Sequence, residues 1–565
     1  MATKPQSDLL VGLRPPETVM RLERLGSFHQ CRLSFMRILL RRLQREGWTF
    51  GRPLFDIDAR GAGRSVYTAR GPERTYSLVC FGHDLPPELR TDRVIAAAWD
   101  ATFALFDGVP EANDIERLSS NVPKQEAGRV SERELTLSRA NRSVRLFEHV
   151  VENLAQGRQP DIEQLDAVGY VMRTTAVYGS GKFGSADRET IADRPEFRAP
   201  FQAEMLTVYL IRAFTMDLVE RMAYLRAPET AVTLERGMRR HLGVGNSTGL
   251  GLAPFIVNHP ALFNNWIEAR EAALARVRAR PKAKGGEVQA FGKIVARASR
   301  NVELWRSEHP IQTKKLAMLR DDLVRLQKFA GAENISGAMP WDSLYRWGER
   351  ELSLEGQELL VSLMLESHGE DIDDLSDCMS ADEDAVFGID GAMPLGNLRA
   401  IVESVYAFAL GLDWSRSENN ARAWYVSEEK LEPRLGERFE EPVGEYEQPL
   451  SPGRDAARMH RDILKWSGED SVAAFLLRHP EHRHIARRAQ ITALSPYAEI
   501  RDNTIAADML PIDLLRCKLS FFGATHFDPR SDRWVRINMF KNAPFPDELA
   551  AFPFDDWSYP SVAEG

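Results

Sequence analysis

The chain has 565 residues, 43% hydrophobic and 27% charged, with a formal net charge of −9. That is length for roughly two to four domains with ample core, and the acidic balance argues against general nucleic-acid binding, which needs a basic domain or stripe. The 4 cysteines, Cys31, Cys80, Cys378 and Cys517, are too scattered for a disulfide framework or a zinc site and point to a reduced, cytoplasmic compartment.

Residues 1–16 read as a loose leader without the apolar run of a secretory signal. Residues 17–125 read as an N-terminal α+β region. Val19, Leu22, Leu25, Phe28, Leu33, Met36, Leu39 and Leu43 recur at helical spacing and predict one amphipathic helix over 17–47, broken near Gly26. Two β-rich runs follow, Ser65–Ala69 and Thr75–Phe81, with Arg70-Gly71-Pro72-Glu73 as a hairpin turn between them. Asp92 then caps a predicted helix carrying Val94, Ala97, Ala98, Trp99, Phe103 and Phe106.

Residues 126–280 read as a helical region, with helices predicted over 137–156, 161–177, 200–226, 229–241 and 260–279. The most apolar stretch, Met205–Leu225, is interrupted by Arg212, Asp217, Glu220 and Arg221. It therefore reads as a helix buried in protein and not as a membrane span. The basic segment Arg278–Gly286 carries Pro and Gly and reads as an exposed linker or hinge. Residues 287–425 form a second helical region, with helices over 287–306, 311–329, 353–367 and 395–411 and an acidic loop from Glu370 to Asp384. Residues 426–565 open on an irregular segment rich in Glu, Pro and Gly, resume as helices over 453–466 and 470–488, and end in a β-hairpin made of Lys518–Phe522 and Trp534–Phe540. The fold class read from this pattern is predominantly α (α+β): a large helical core with small antiparallel hairpins or sheets near both ends. One sequence leaves open whether the two β ends share a sheet. If they do, the helical middle is an insertion.

Chemistry is sought first in two glycine-rich polar loops, Tyr178–Ser185 and Gly243–Gly251. Glycine lets backbone N–H groups approach a ligand, and Ser, Thr, Asn and Lys add donors. The first loop is not a P-loop, because Ala176 stands at the first glycine position and Phe183 follows Lys182. Lys182 remains a lone cation among donor-rich backbone, able to hold an anion or, if desolvated, to act as a base. Tyr178 and Ser180 stand beside it. Asn246, Ser247 and Thr248 supply donors in the second loop, and His259 is placed to reach back as a general acid or base.

Arg173 and Arg212 sit in stretches read as apolar helices, and a buried arginine needs an anionic partner: a substrate carboxylate, or an internal acid such as Glu204 or Asp217. In the C-terminal hairpin, His526 and Arg530 lie in the loop. Alternation puts Trp534, Arg536 and Asn538 on one strand face and Val535, Ile537 and Met539 on the other. His479, His482 and His484 invite a metal reading, but only the first two share a helical face and arginines surround them, so no metal site is assigned. Asp371, Asp373, Asp374 and Asp377 lack EF-hand spacing.

The expected function is a soluble, cytoplasmic enzyme acting on a small carboxylate- or phosphate-bearing metabolite by non-redox, lyase- or hydrolase-type acid–base chemistry. Lys182, His259, His526 and Tyr178 are the catalytic candidates. Arg173, Ser180, Asn246, Ser247, Thr248, Arg530 and Arg536 are the substrate-binding ones. No cofactor is assigned. No nucleic acid or membrane is expected as partner, and a homo-oligomer stays open. The excess of arginine over lysine suits a GC-rich bacterial gene. The alternatives are a non-catalytic helical scaffold, or a redox or transferase enzyme whose cofactor site leaves no motif.

Overall fold

The computed structural model describes residues 11–89, 98–124, 131–174, 191, 193–246, 260–307, 310–331, 334–379, 388–416, 452–501, 511–523 and 537–552. The chain divides into two compact units. One comprises residues 34–249, 522–526 and 536–565. The other comprises residues 1–33, 250–521 and 527–535.

The first unit is built on an eight-stranded sheet: β1 Thr49–Ile57, β2 Gly63–Arg70, β3 Thr75–Gly82, β4 Ala101–Asp107, β5 Glu134–Arg142, β6 Tyr170–Thr174, β7 Gly243–Asn246 and β8 Ile537–Met539. Their order in the sheet is their order in the chain. Every neighbouring pair is antiparallel except β6 and β7. That parallel pair follows from what separates it, because a parallel connection needs a long crossover. Here the crossover contains the helix α2 (Gln202–Arg226); the helix α1 (Phe35–Arg45) precedes β1 in the chain. The expectation of small terminal hairpins on a helical core is therefore overturned. Helix makes up 56% and strand 13%, but the strands form one curled half-barrel sheet spanning much of the N-terminal half.

Helix α2 is buried on all sides from Gln202 to Met216. It touches the sheet from several strands. Phe214 meets the rings of Tyr67 (6.4 Å between centroids) and Phe103 (5.5 Å). Tyr209 meets those of Phe50 (6.0 Å) and Phe540 (5.3 Å), and Thr207 shares a 2.8 Å hydrogen bond with Thr136. The alternate side chains Val66, Val79, Phe81, Ala104 and Phe106 bury themselves with Leu118 and Val122 in a separate cluster. These strands are thus covered on both faces, and such strands read as continuous apolar runs without a period of two. That is why β4 resembles helix in sequence; β5 and β6 likewise occupy 134–142 and 170–174, where the sequence pattern predicts helix over 137–156 and 161–177. The expected strands Ser65–Ala69 and Thr75–Phe81 correspond to β2 and β3, closed by a turn in which Gly71 N–H donates to the Arg74 carbonyl at 2.9 Å.

The C-terminal hairpin is also corrected. Residues 518–522 belong to the helix Pro511–Phe522, and β8 pairs with β7 instead. The N-terminal and C-terminal β segments therefore do share one sheet.

The second unit is helical. Its elements include α3 (Pro260–Arg278), the helices Gly285–Leu304, Pro310–Phe329 and Pro340–Glu351, then α4 (Leu354–Glu366), the helix Leu395–Val405, α5 (Pro452–Ile463), α6 (Val472–Arg478) and α7 (Arg483–Leu494). Leu398, Val402, Tyr406, Met459, Phe475 and Ile485 belong to one of its buried clusters. Arg278–Gly286 is a turn between two of its helices, where Met339 N–H donates to the Pro281 carbonyl at 3.1 Å. The predicted helix over 17–47 is in fact three: Pro16–Val19, Leu22–Leu25 and α1. The acidic run meets arginines. Asp373 pairs with Arg32 at 2.7 Å and Asp374 with Arg276 at 2.6 Å.

Candidate functional site

The sheet unit holds a cleft of about 570 Å³. Its apolar wall includes Leu43, Trp48, Phe50, Leu210 and Leu549, and its polar groups include Arg52, Tyr67, Asp217, Arg239 and Asp547. Local structure places each of the polar groups. On β1 the register slips between Gly51 and Leu54, whose partners on β2 are Thr68 and Val66. Arg52 and Pro53 therefore face the single residue Tyr67. Such a bulge re-aims a side chain, and proline, which has no N–H to give the ladder, suits it. Leu210, Ala213 and Asp217 recur at spacings of three and four, so they line one face of α2.

Arg212 lies on another face of α2. Its Nε donates to the Leu242 carbonyl, Nη1 to that of Ala543 and Nη2 to that of Arg240, each at 2.8 Å. A fully buried guanidinium is thus met by three backbone carbonyls. The Phe545 ring lies 3.9 Å from the Arg212 guanidinium carbon and 4.3 Å from that of Arg239. This stacking fixes Arg239 at the cleft beside Asp547, which it reaches at 3.3 Å.

Asp217 is the centre of the arrangement. Its Oδ2 accepts from the Tyr67 hydroxyl at 2.6 Å and from Arg52 Nη1 at 2.7 Å, while Arg239 Nη2 stands 3.9 Å from Oδ1. Burial, reinforced by the Asp217 charge, pushes the Tyr67 phenol well above its usual range, so it stays protonated and donates. One turn further along α2, burial raises the Glu220 carboxyl, against the opposing pull of the Leu234 N–H and Arg239. Such a carboxyl moves towards the pH at which it exchanges protons usefully.

Of the residues singled out from sequence, Tyr178, Ser180, Lys182, Ser247, Thr248, His259, His526, Arg530 and Arg536 lie outside the described residues. Arg173 is on β6 and not in a helix. It is buried, in register with Asn141 on β5 and Gly245 on β7. Asn246 ends β7, in register with Thr174 and Ile537. The structure therefore brings Arg173 and Asn246 onto adjacent strands. The start of the second glycine loop is itself strand β7. A Cβ on Gly243 would collide with the Asn538 side chain and the Met539 carbonyl, and one on Gly245 would come within 2.8 Å of the Tyr170 ring. Close strand packing demands these two glycines.

Sequence reasoning missed Arg52, Tyr67, Arg239 and Asp547, and named Asp217 only as a partner for a buried arginine. The available signal was a proline inside a strand-like run next to an arginine.

No family model, curated protein or solved structure matches this chain. Among the described residues, no helix is long and apolar enough to cross a membrane.

Proposed function

We propose that the protein is an enzyme that binds a small organic anion with an apolar or aromatic body in the cleft of its sheet unit and performs acid–base chemistry on it. One observation carries this reading: the Asp217 carboxylate, shared by Tyr67 and Arg52, opens into a cleft walled by Trp48, Phe50 and Leu210. Its volume falls in the range of small-molecule sites, which combine apolar walls with a few convergent polar groups. Arg52 and Arg239 hold the anion. Trp48 and Phe50 cover its body. Asp217 takes up or returns the proton, and the Tyr67 phenol, which stays protonated, holds that carboxylate in place as its hydrogen-bond donor. Non-redox chemistry of the lyase or hydrolase type needs no more than these groups. A cytoplasmic setting accords with the buried thiols of Cys31, Cys80 and Cys517.

The test is a thermal-shift screen of aryl and alkyl carboxylates and phosphates against the whole chain, its Asp217→Asn variant and its Arg52→Met variant. A ligand at about 100 times its dissociation constant adds roughly 2.7 kcal/mol. The expected result is stabilisation of the wild type by one chemical class, lost in both variants. A shift that survives in both variants places the ligand elsewhere. No stabilisation by any carboxylate or phosphate overturns the anion-binding reading.

A further inference from the structure

A second cluster of chemistry-bearing side chains lies in the helical unit, at the join between α6 and α7. The sequence there is His479-Pro480-Glu481-His482, and Pro480–His482 forms one 3₁₀ turn. Side chains three apart eclipse in a 3₁₀ turn. The two imidazoles accordingly stack, with centroids 5.9 Å apart and planes 27° from parallel. Asp462, near the C-terminal end of α5, reaches the same spot. Its Oδ2 is 2.9 Å from His482 Nε2, while Glu481 Oε1 is 3.4 Å from His479 Nδ1 and 4.0 Å from His482 Nε2. One ligand atom from each of Asp462, His479, Glu481 and His482 lies within 4.8 Å of all the others.

We propose that these four side chains bind one divalent transition-metal ion of the zinc class. Zinc takes His nitrogen and carboxylate oxygen at about 2.0–2.2 Å, and a tetrahedron of that size sets its ligands roughly 3.4 Å apart. The distances here bracket that value, so small side-chain rotations close the site. Two neutral imidazoles and two carboxylates match a charge of 2+. Calcium and magnesium prefer all-oxygen sites, so the two nitrogens select a softer ion.

The surroundings hold the ligands in place. Lys465 Nζ takes the other Asp462 oxygen at 2.7 Å. The Phe475 ring stacks on His482 at 5.8 Å and 4°, and Trp466 meets His479 edge-on at 6.0 Å. Partners of this kind orient metal ligands. Of the arginines in this segment, Arg488 donates to Glu499 at 2.9 Å. His484, the third histidine of the segment, turns to Asp455 at 3.3 Å. Four protein donors complete a tetrahedron, the mark of a structural site. The ion pins the end of α5 to the turn that begins α7.

The experiment titrates Co²⁺, then Zn²⁺, into the chelator-treated full-length protein and follows visible absorption and thermal melting. The expected result is one equivalent of Co²⁺ giving tetrahedral ligand-field bands, displaced by Zn²⁺, with a higher melting temperature. His479→Ala and Glu481→Gln alter partly exposed side chains and keep the fold. Each lowers affinity by more than the roughly 10–100-fold that loss of an outer-shell partner costs. His484→Ala leaves binding unchanged. Absence of saturable one-equivalent binding overturns the proposal, and so does equal affinity in wild type, His479→Ala and Glu481→Gln.

Discussion

Each unit contains an arginine–carboxylate cluster, and the two differ in what surrounds the same bond. In the helical unit, Arg14 donates from Nε to Glu271 and from Nη1 to Glu358, both at 2.7 Å, and Arg270 Nη2 reaches Glu358 at 2.7 Å. These side chains are 0–5% exposed. In the sheet unit, Arg52 meets Asp217 at the same 2.7 Å, with side chains 46% and 17% exposed. Distance alone does not separate them. In the sealed cluster each charge has lost its water and depends on the others, so removing one strands its partners. In the open cluster water replaces a lost partner cheaply, and the same groups remain available to a ligand. The first is architecture and the second has the makings of a site.

The largest effect is expected at Glu358. Glu358→Ala leaves Arg14 and Arg270 buried without it and should destabilise the protein by about 3–5 kcal/mol, read from its urea midpoint. A loss below about 1 kcal/mol, the scale of an exposed pair, would erase the distinction between the clusters.

The sheet unit has its own intolerant place, at the packing of β7 against β8. Gly243→Ala drives a methyl into the Met539 carbonyl and the Asn538 side chain. The cost should be about 1–3 kcal/mol, seen as a lower melting temperature. An unchanged melt would show that β7 shifts freely.

Acid sharpens the contrast further. Burial alone would raise the Glu355 carboxyl. The Arg516 charge, with hydrogen bonds from Arg516 and His29, outweighs it and holds the group down to about 2. Its contribution is complete above the ordinary value of 4.5 and is lost as pH falls towards 2. His29 is lowered, mainly by burial, so its contribution begins to fade as pH falls through 6.5. Glu220, three residues after Asp217 on α2, is raised by burial and has the opposite sign: its contribution is present at low pH and declines as pH rises above 4.5. Glu355→Gln should flatten the acid side of the melting-temperature profile, whereas Glu220→Gln should lift the neutral side. Superimposable profiles for wild type and Glu355→Gln would remove the buried pair from the account.

The smallest stability effect belongs to Arg52→Ala. It should cost less than about 1 kcal/mol in urea unfolding and yet abolish binding in the cleft. A loss as large as that at Glu358 would make Arg52 a structural residue.

Legibility from sequence divided along physical lines. The helices at 202–226, 260–278, 285–304 and 310–329 were readable because a helix closes its hydrogen bonds within four residues, so its apolar pattern is local. The β2–β3 hairpin was readable for the same reason, since its turn and both strands adjoin in the chain. The Asp217 site was not. Its three principal groups come from β1, β2 and α2, and the bulge that aims Arg52 at Asp217 exists only once β1 has found β2. The histidine cluster was half readable: the spacing of His479 and His482 was visible, and Asp462 was not.

Four long helices, one hairpin, the net acidic charge and the scattered thiols were legible in the sequence, because they depend on neighbours along the chain or on composition. Only the tertiary structure decided that residues 101–107, 134–142 and 170–174 are strands, and that 243–246 pairs with 537–539 across an intervening helical unit. A strand satisfies its backbone in a partner, and nothing within a short apolar run names a partner hundreds of residues away.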